Sequence, residues 1–173
     1  LVTNGSKSSY ENNQPIISEN IIGIHNGIFS NIYSILGESL DNQNHEGLNV
    51  KSDSLLFYNL LSKIPNNDNF ILQFLKIINE VKGNFSVAFF FKDRDELYLS
   101  SNYGALYYYL DENSNFFTFA SEKNILRNFL KNSSILKKKI NIDYNKINQI
   151  LNKTIIFDLK YNTIQFFDNK NSN

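Results

Sequence analysis

The chain has 173 residues, 17 Lys and Arg balanced by 17 Asp and Glu, two His, and no Cys, Met or Trp. That length supports one sizeable core without disulfides or metal, and zero net charge supplies no long-range field toward nucleic acid or anionic lipid. With no Cys there is no disulfide framework, thiolate metal site or thiol chemistry within these residues.

In chain order, the first predicted element is a short buried strand, Ile21–His25, closed by Asn26-Gly27. Ile28, Ile32, Ile35 and Leu36 then recur at helical spacing. Ser52-Asp53-Ser54 offers N-cap chemistry for a second helix, with Leu56, Leu60 and Ile64 on one face. A third helix carries Phe70, Phe74, Leu75, Ile78 and Val81, and Gly83 stands where it should end. The period then changes to two. Phe85, Val87, Phe89 and Phe91 alternate with Ser86, Ala88 and Phe90, so both faces of this strand should be covered. The polar turn Lys92–Glu96 leads into Leu97–Leu99, and strands at Leu106–Leu110 and Phe116–Ala120 extend an expected antiparallel meander. A helix follows Ser121-Glu122 with the apolar stripe Ile125, Leu126, Phe129 and Leu130. A short helix over Asp143–Leu151 and a hairpin of Ile155–Leu159 with Thr163–Phe167 complete the reading. Helices on either side of a buried antiparallel sheet imply a layered α+β domain spanning 1–173. The longest apolar run, Val87–Phe91, is far short of the roughly 20 residues of a membrane-spanning helix.

Common catalytic arrangements are not found. His25 and His45 lack the spacing of a zinc helix, and there is neither a glycine-rich phosphate loop nor a nucleophile-elbow Ser. Lys137-Lys138-Lys139 and Asp93–Glu96 read as solvated faces. What remains is a series of small signals: Leu1-Val2-Thr3-Asn4-Gly5, Asn13-Gln14-Pro15, His25-Asn26-Gly27-Ile28, Ser52-Asp53-Ser54, Gly83-Asn84-Phe85-Ser86, Ser101-Asn102-Tyr103-Gly104 and Phe119-Ala120-Ser121-Glu122. Each has a bland reading. Asn-Gly is a common tight turn, Asp53 is a helix cap, and His25 packs beneath the turn.

Taken in order from Leu1 to about Leu130, these signals resemble the type-2 glutamine amidotransferase domain. That domain is the Ntn-hydrolase part of asparagine synthetase, glucosamine-6-phosphate synthase and amidophosphoribosyltransferase. The resemblance implies a four-layer αββα sandwich with antiparallel sheets, here incomplete at its N-terminus. In the family an N-terminal Cys attacks the side-chain amide of L-glutamine, its own α-amino group acts as base, and ammonia leaves for a second domain. By that resemblance, the Asn26 side-chain amide and the Gly27 N–H would form the oxyanion hole. Asp53 would pair with the α-ammonium of glutamine, and Thr3 and Asn4 would hold its α-carboxylate.

The chain departs from the family pattern. It has no Cys, and the Arg that the family places just before the Leu1 position falls outside it. The segment after Gly104 is also shorter than the pattern and lacks its usual Pro. We therefore expect an N-terminally truncated fragment, inactive alone, whose upstream frame begins Met-Cys and supplies the Arg. Residues 131–173 would form a C-terminal extension toward a synthetase domain. Asn13-Gln14-Pro15, Tyr107-Tyr108 and Phe119-Ala120-Ser121-Glu122 lean toward an asparagine-synthetase-like parent. The expected partners are L-glutamine and a downstream acceptor domain, with neither nucleic acid nor membrane. No metal or cofactor is expected in this domain, ATP and Mg belonging to the synthetase domain, and the expected compartment is the cytoplasm. His25-Asn26-Gly27-Ile28 leans instead toward aminosugar and purine enzymes. Three alternatives stay open: the amidotransferase domain of a glucosamine-6-phosphate synthase, an inactive amidotransferase-like interaction module, and an unrelated sugar-binding β-sandwich. The β-sandwich requires the helices at Ser54–Ile64 and Phe70–Lys82 to be absent.

Overall fold

The most apolar stretch of the chain, Phe85–Phe91, occupies the interior of a six-stranded sheet in a computed structural model that describes residues 13–37, 52–111, 113, 116–134, 136 and 140–169. Around this strand, β3, the sheet is assembled from β1 (Ile16–Ile17), β2 (Ile21–Gly27), β4 (Glu96–Ser101), β8 (Lys153–Asp158) and β9 (Thr163–Asp168). Its order is β1-β2-β3-β4-β8-β9, and every pairing is antiparallel. Three shorter strands, β5 (Tyr107–Asp111), β6 (Phe116–Ala120) and β7 (Asn148–Gln149), make a second sheet in the order β6-β5-β7.

Alternation along the strands builds two cores back to back. Phe85, Val87, Phe89 and Phe91 of β3, with Tyr98 and Ile156, face α1 (Ile32–Gly37), α2 (Asp53–Ser62) and α3 (Phe70–Glu80). Ala88, Leu99 and Ile155, one position out of phase, face the small sheet and meet Leu106 and Ile150. A third cluster, Tyr109, Ile147, Leu126 and Leu130, seals α4 (Lys123–Asn132) to the far side of the small sheet. The layers therefore run helices, sheet, sheet, helix: an α+β sandwich with antiparallel sheets, as the sequence implies. Both faces of β3 are covered, which is why its sequence is apolar almost throughout.

Packing on the helical side is tight. Gly23 faces Tyr58, and a Cβ there would sit 2.5 Å from the tyrosine ring. The Tyr58 hydroxyl, fully buried, donates to Ile24 O at 2.7 Å, pinning α2 to β2. Burial disfavours the charged form and raises the Tyr58 pKa, so the hydroxyl remains a donor.

Several elements differ from expectation. The helix expected from Ile28 begins only at Ile32, because residues 28–30 stay extended beside 82–84 through Ile28 N–H to Asn84 O and Ser30 N–H to Lys82 O. On α2 the fully buried side chains are Phe57, Tyr58 and Leu61, while Leu56, Leu60 and Ile64 only border the core. The third helix stops at Glu80, ahead of Gly83. The expected meander is two sheets: β4 pairs with β8 rather than with β5. No α-helix spans Asp143–Leu151. The Asp143 carboxylate accepts from Asn145 N–H and closes a 3-10 turn, Tyr144–Lys146, after which the chain extends into β7. Ile147 and Ile150 are buried as a helical face would bury them, but on opposite sides of the small sheet. Helices α2 and α3 are present, which excludes the sugar-binding β-sandwich. No helix among the described residues is long and apolar enough to cross a membrane.

Candidate functional site

β2 carries the candidate residues to the edge of the space between the sheets. Ile21, Gly23 and His25 turn to the helices and are buried, whereas Ile24 and Asn26 turn to the other face. There Asn26 lines a cleft of about 480 Å³ with Gln14, Ser86, Leu106, Phe119 and Glu122 among its walls. Asn26 is exposed, on the face of β2 that borders this cleft.

At Gly27 the chain leaves the sheet with φ +130, and a Cβ would lie 2.0 Å from Asn84 O. Only glycine passes here. Antiparallel ladders bond alternate residues to each neighbour. Ile28 N–H donates to Asn84 O at 2.8 Å, placing the β3-side bonds on even-numbered residues of β2. The Gly27 N–H accordingly points away from β3. On that opposite edge the ladder to β1 has ended at Pro15, which has no N–H, and the Gln14 side chain substitutes for a strand. Its Oε1 accepts from His25 N–H at 3.0 Å while its Nε2 donates to His25 O. A primary amide, offering one donor group and one acceptor, copies a peptide unit.

Asp53 stands in the first turn of α2, where the helix N-terminus favours negative charge. The N-cap itself is Ser52, whose hydroxyl accepts from Leu55 N–H. That leaves Asp53 to another task. Its Oδ2 accepts from Phe29 N–H and its Oδ1 from Ser54 N–H, both at 2.9 Å. The structure thus brings Asp53 to the main chain two residues beyond Gly27. It does not place the carboxylate in the cleft that Asn26 lines, and Asp53 is only 2% exposed. Thr3 and Asn4 lie outside the described residues.

His25 packs where the bland reading expects it, 6% exposed and stacked on Phe29 at 4.1 Å. Its Nδ1 lies 2.7 Å from Ser54 Oγ. Burial pushes its pKa down to about 4, against a partial upward pull from Asp53, so the ring is neutral at pH 7. Gln14 is the site residue that sequence reasoning did not single out for a structural task. The signal available was its position before a proline that must end a ladder.

An amide donor beside a cleft and a glycine N–H directed off the ladder are groups that can bind an anionic oxygen, while the buried carboxylate of Asp53 holds the main chain at residue 29. Residues 5–128 match the family described as glutamine amidotransferase domain. Among solved structures, the chain is similar to the glutamine phosphoribosylpyrophosphate amidotransferase from B. subtilis complexed with ADP and GMP, with a TM-score of 0.63 and 14% identity, covering 95% of this chain and 33% of that one. It is also similar to a structure described as the allosteric regulatory enzyme of purine biosynthesis, with a TM-score of 0.62 and 15% identity, covering 95% and 32%. At such identities the likeness establishes the fold, and the chain spans about a third of the length of these enzymes. A comparison with curated protein sequences gives no match. With the family matched over most of its length and the antiparallel layered fold in place, the chain belongs to the glutamine amidotransferase domain family.

Proposed function

We propose that this domain is the glutaminase part of a glutamine-dependent amidotransferase, hydrolysing L-glutamine to glutamate and ammonia for an acceptor handled by another domain. The observation that carries the reading is the end of β2, where Asn26 beside the cleft and an off-ladder N–H on Gly27 precede the main chain that Asp53 holds at residue 29. In this reading a thiolate from a Cys outside the present sequence adds to the amide carbon of glutamine. The carbonyl oxygen becomes negative, and the Asn26 amide and Gly27 N–H would stabilise it until the C–N bond breaks, the departing nitrogen taking up the proton that the α-amino base removed from the thiol. Water then cleaves the resulting thioester, giving glutamate and restoring the thiol. Asp53 would take the α-ammonium, and Thr3 and Asn4 the α-carboxylate. A carboxylate that already accepts two main-chain bonds still has lone pairs to offer a third donor.

The finer proposal is an asparagine-synthetase-like parent, supported by Asn13-Gln14-Pro15, Tyr107-Tyr108 and Phe119-Ala120-Ser121-Glu122. ATP and Mg would then act in a separate synthetase domain, and no step described here passes through them. A cytoplasmic setting follows from the metabolic substrates of such a parent. A second reading, an inactive interaction module, draws on the burial of Asp53 and the use of both its oxygens by main-chain N–H groups.

Ammonia release by the parent protein carrying its N-terminal Cys tests the first reading. Asn26→Ala should lower kcat by about 10²–10³ with KM little changed, the usual cost of one oxyanion donor. A parent that binds no L-glutamine in calorimetry supports the inactive module, and a loss confined to binding contradicts the oxyanion role.

A further inference from the structure

We propose that His25 is a positioning residue, whose imidazole joins the strand end bearing Asn26 and Gly27 to the first turn of α2 and so fixes Asp53 against the main chain at residue 29. Four contacts form a closed circuit. His25 Nδ1 meets Ser54 Oγ at 2.7 Å, Ser54 N–H donates to Asp53 Oδ1, Phe29 N–H donates to Asp53 Oδ2, and the Phe29 ring stacks back on His25. From outside the circuit, Gln14 grips the main-chain N–H and C=O of the same His25. Residue 25 is therefore held through both its backbone and its ring, immediately before Asn26.

The choice of histidine carries the argument. Among the described residues its Nε2 is buried without a hydrogen-bond partner, a loss of free energy that a phenylalanine of similar shape would avoid while still stacking on Phe29. What histidine adds over phenylalanine is the bond to Ser54. Buried N–H groups without acceptors are rarer than bare lone pairs, so the favoured tautomer has Nδ1–H donating to Ser54 Oγ and leaves Nε2 as the unpaired lone pair. A ring kept at that cost and tied to the residue beside Asp53 is a linkage as well as a filler of space.

The inference rests on the proposed function only for the identity of the ligand that Asp53 and Asn26 would share. Amide hydrogen exchange by NMR on the 173-residue chain tests it without any ligand. Ser54→Ala removes one oxygen from the circuit and should speed exchange of the Phe29 amide at least tenfold, with amides of β4 and β8 unchanged. Asparagine places a polar atom near the Nδ1 position, so His25→Asn should protect the Phe29 amide better than His25→Phe. A purely volumetric role predicts the reverse order. Unchanged Phe29 exchange in Ser54→Ala, or stronger protection in His25→Phe than in His25→Asn, overturns the proposal. If His25→Phe fails to fold, the Ser54→Ala measurement decides alone. Calorimetry with L-glutamine on the parent protein is read separately, so absent binding would remove the glutaminase reading while leaving the exchange result to judge the linkage.

Discussion

Gly27 shows how much one position can decide. Its φ of +130 and the 2.0 Å separation of a hypothetical Cβ from Asn84 O set two backbones against each other, and neither can move without breaking the bond from Ile28 N–H to Asn84 O. Gly27→Ala should therefore cost about 2 kcal/mol or more, combining strain in a region closed to L side chains with a lost ladder bond. Gly37, with nothing within 4 Å of its Cβ position, is the control, and Gly37→Ala should change stability by less than about 1 kcal/mol, in the stabilising direction. Urea unfolding of the two variants checks this, the m-value staying constant while the midpoint falls only for Gly27→Ala. At this scale the sequence was legible where the constraint is local. Asn26-Gly27 reads as the close of the strand, but β2 runs through Gly27 and its pairing continues at Ile28 and Ser30, so what the dipeptide marks is the positive φ of Gly27. The bonds from Asp53 to residue 29 and from Gln14 to residue 25 span 24 and 11 positions. No periodicity reports contacts of that kind, so the sequence could name Asp53 without showing that its carboxylate is spent first on the main chain.

Among the elements, α4 separates what a hydrophobic stripe implies from what packing uses. Ile125, Leu126, Phe129 and Leu130 read as one face, yet Leu126 and Leu130 are buried in the cluster with Tyr109 and Ile147, while Ile125 and Phe129 remain 51% and 50% exposed. The small sheet is narrow and covers only the i, i+4 row. Leu130→Ala should consequently destabilise by about 2–5 kcal/mol through transfer and cavity terms. Phe129→Ala should cost less than about 1 kcal/mol, since a half-exposed ring surrenders little area to water. Thermal unfolding followed by circular dichroism distinguishes the two, and equal losses would mean that the outer row is covered in solution. The misread segment 143–151 has a related cause. Ile147 and Ile150 stand three apart, a separation shared by a helix face and by a strand whose side chains enter two different cores. The second core became visible only once β5 and β6 had left the large sheet.

For the whole molecule, the α+β layering was legible because β3 is apolar on both faces and helical periods flank it. Strand order was not, since the pairing of β4 with β8 joins segments more than fifty residues apart. That long-range closure makes the domain respond as a unit to groups buried within it, His25 among them. In the unfolded chain His25 titrates near 6.5, and in the folded chain burial lowers it to about 4. Between those values the unfolded state binds the extra proton, so the free energy of unfolding rises with pH. The stability that depends on a neutral His25 is complete above about pH 6.5 and is lost as pH falls toward 4, by about 3 kcal/mol if the full shift applies. The net shift already includes Asp53, whose carboxylate beside the ring favours the imidazolium and so keeps the fall smaller than burial alone would make it. Urea unfolding at pH 7 and pH 4.5 should show a steeper decline in the wild type than in His25→Asn, which has nothing to titrate at that position. Because carboxylates away from residue 25 protonate alike in both proteins, the difference between the two slopes isolates His25 together with its partner Asp53. Parallel slopes would mean that the ring keeps its ordinary pKa, and hence that water reaches it between β2 and α2.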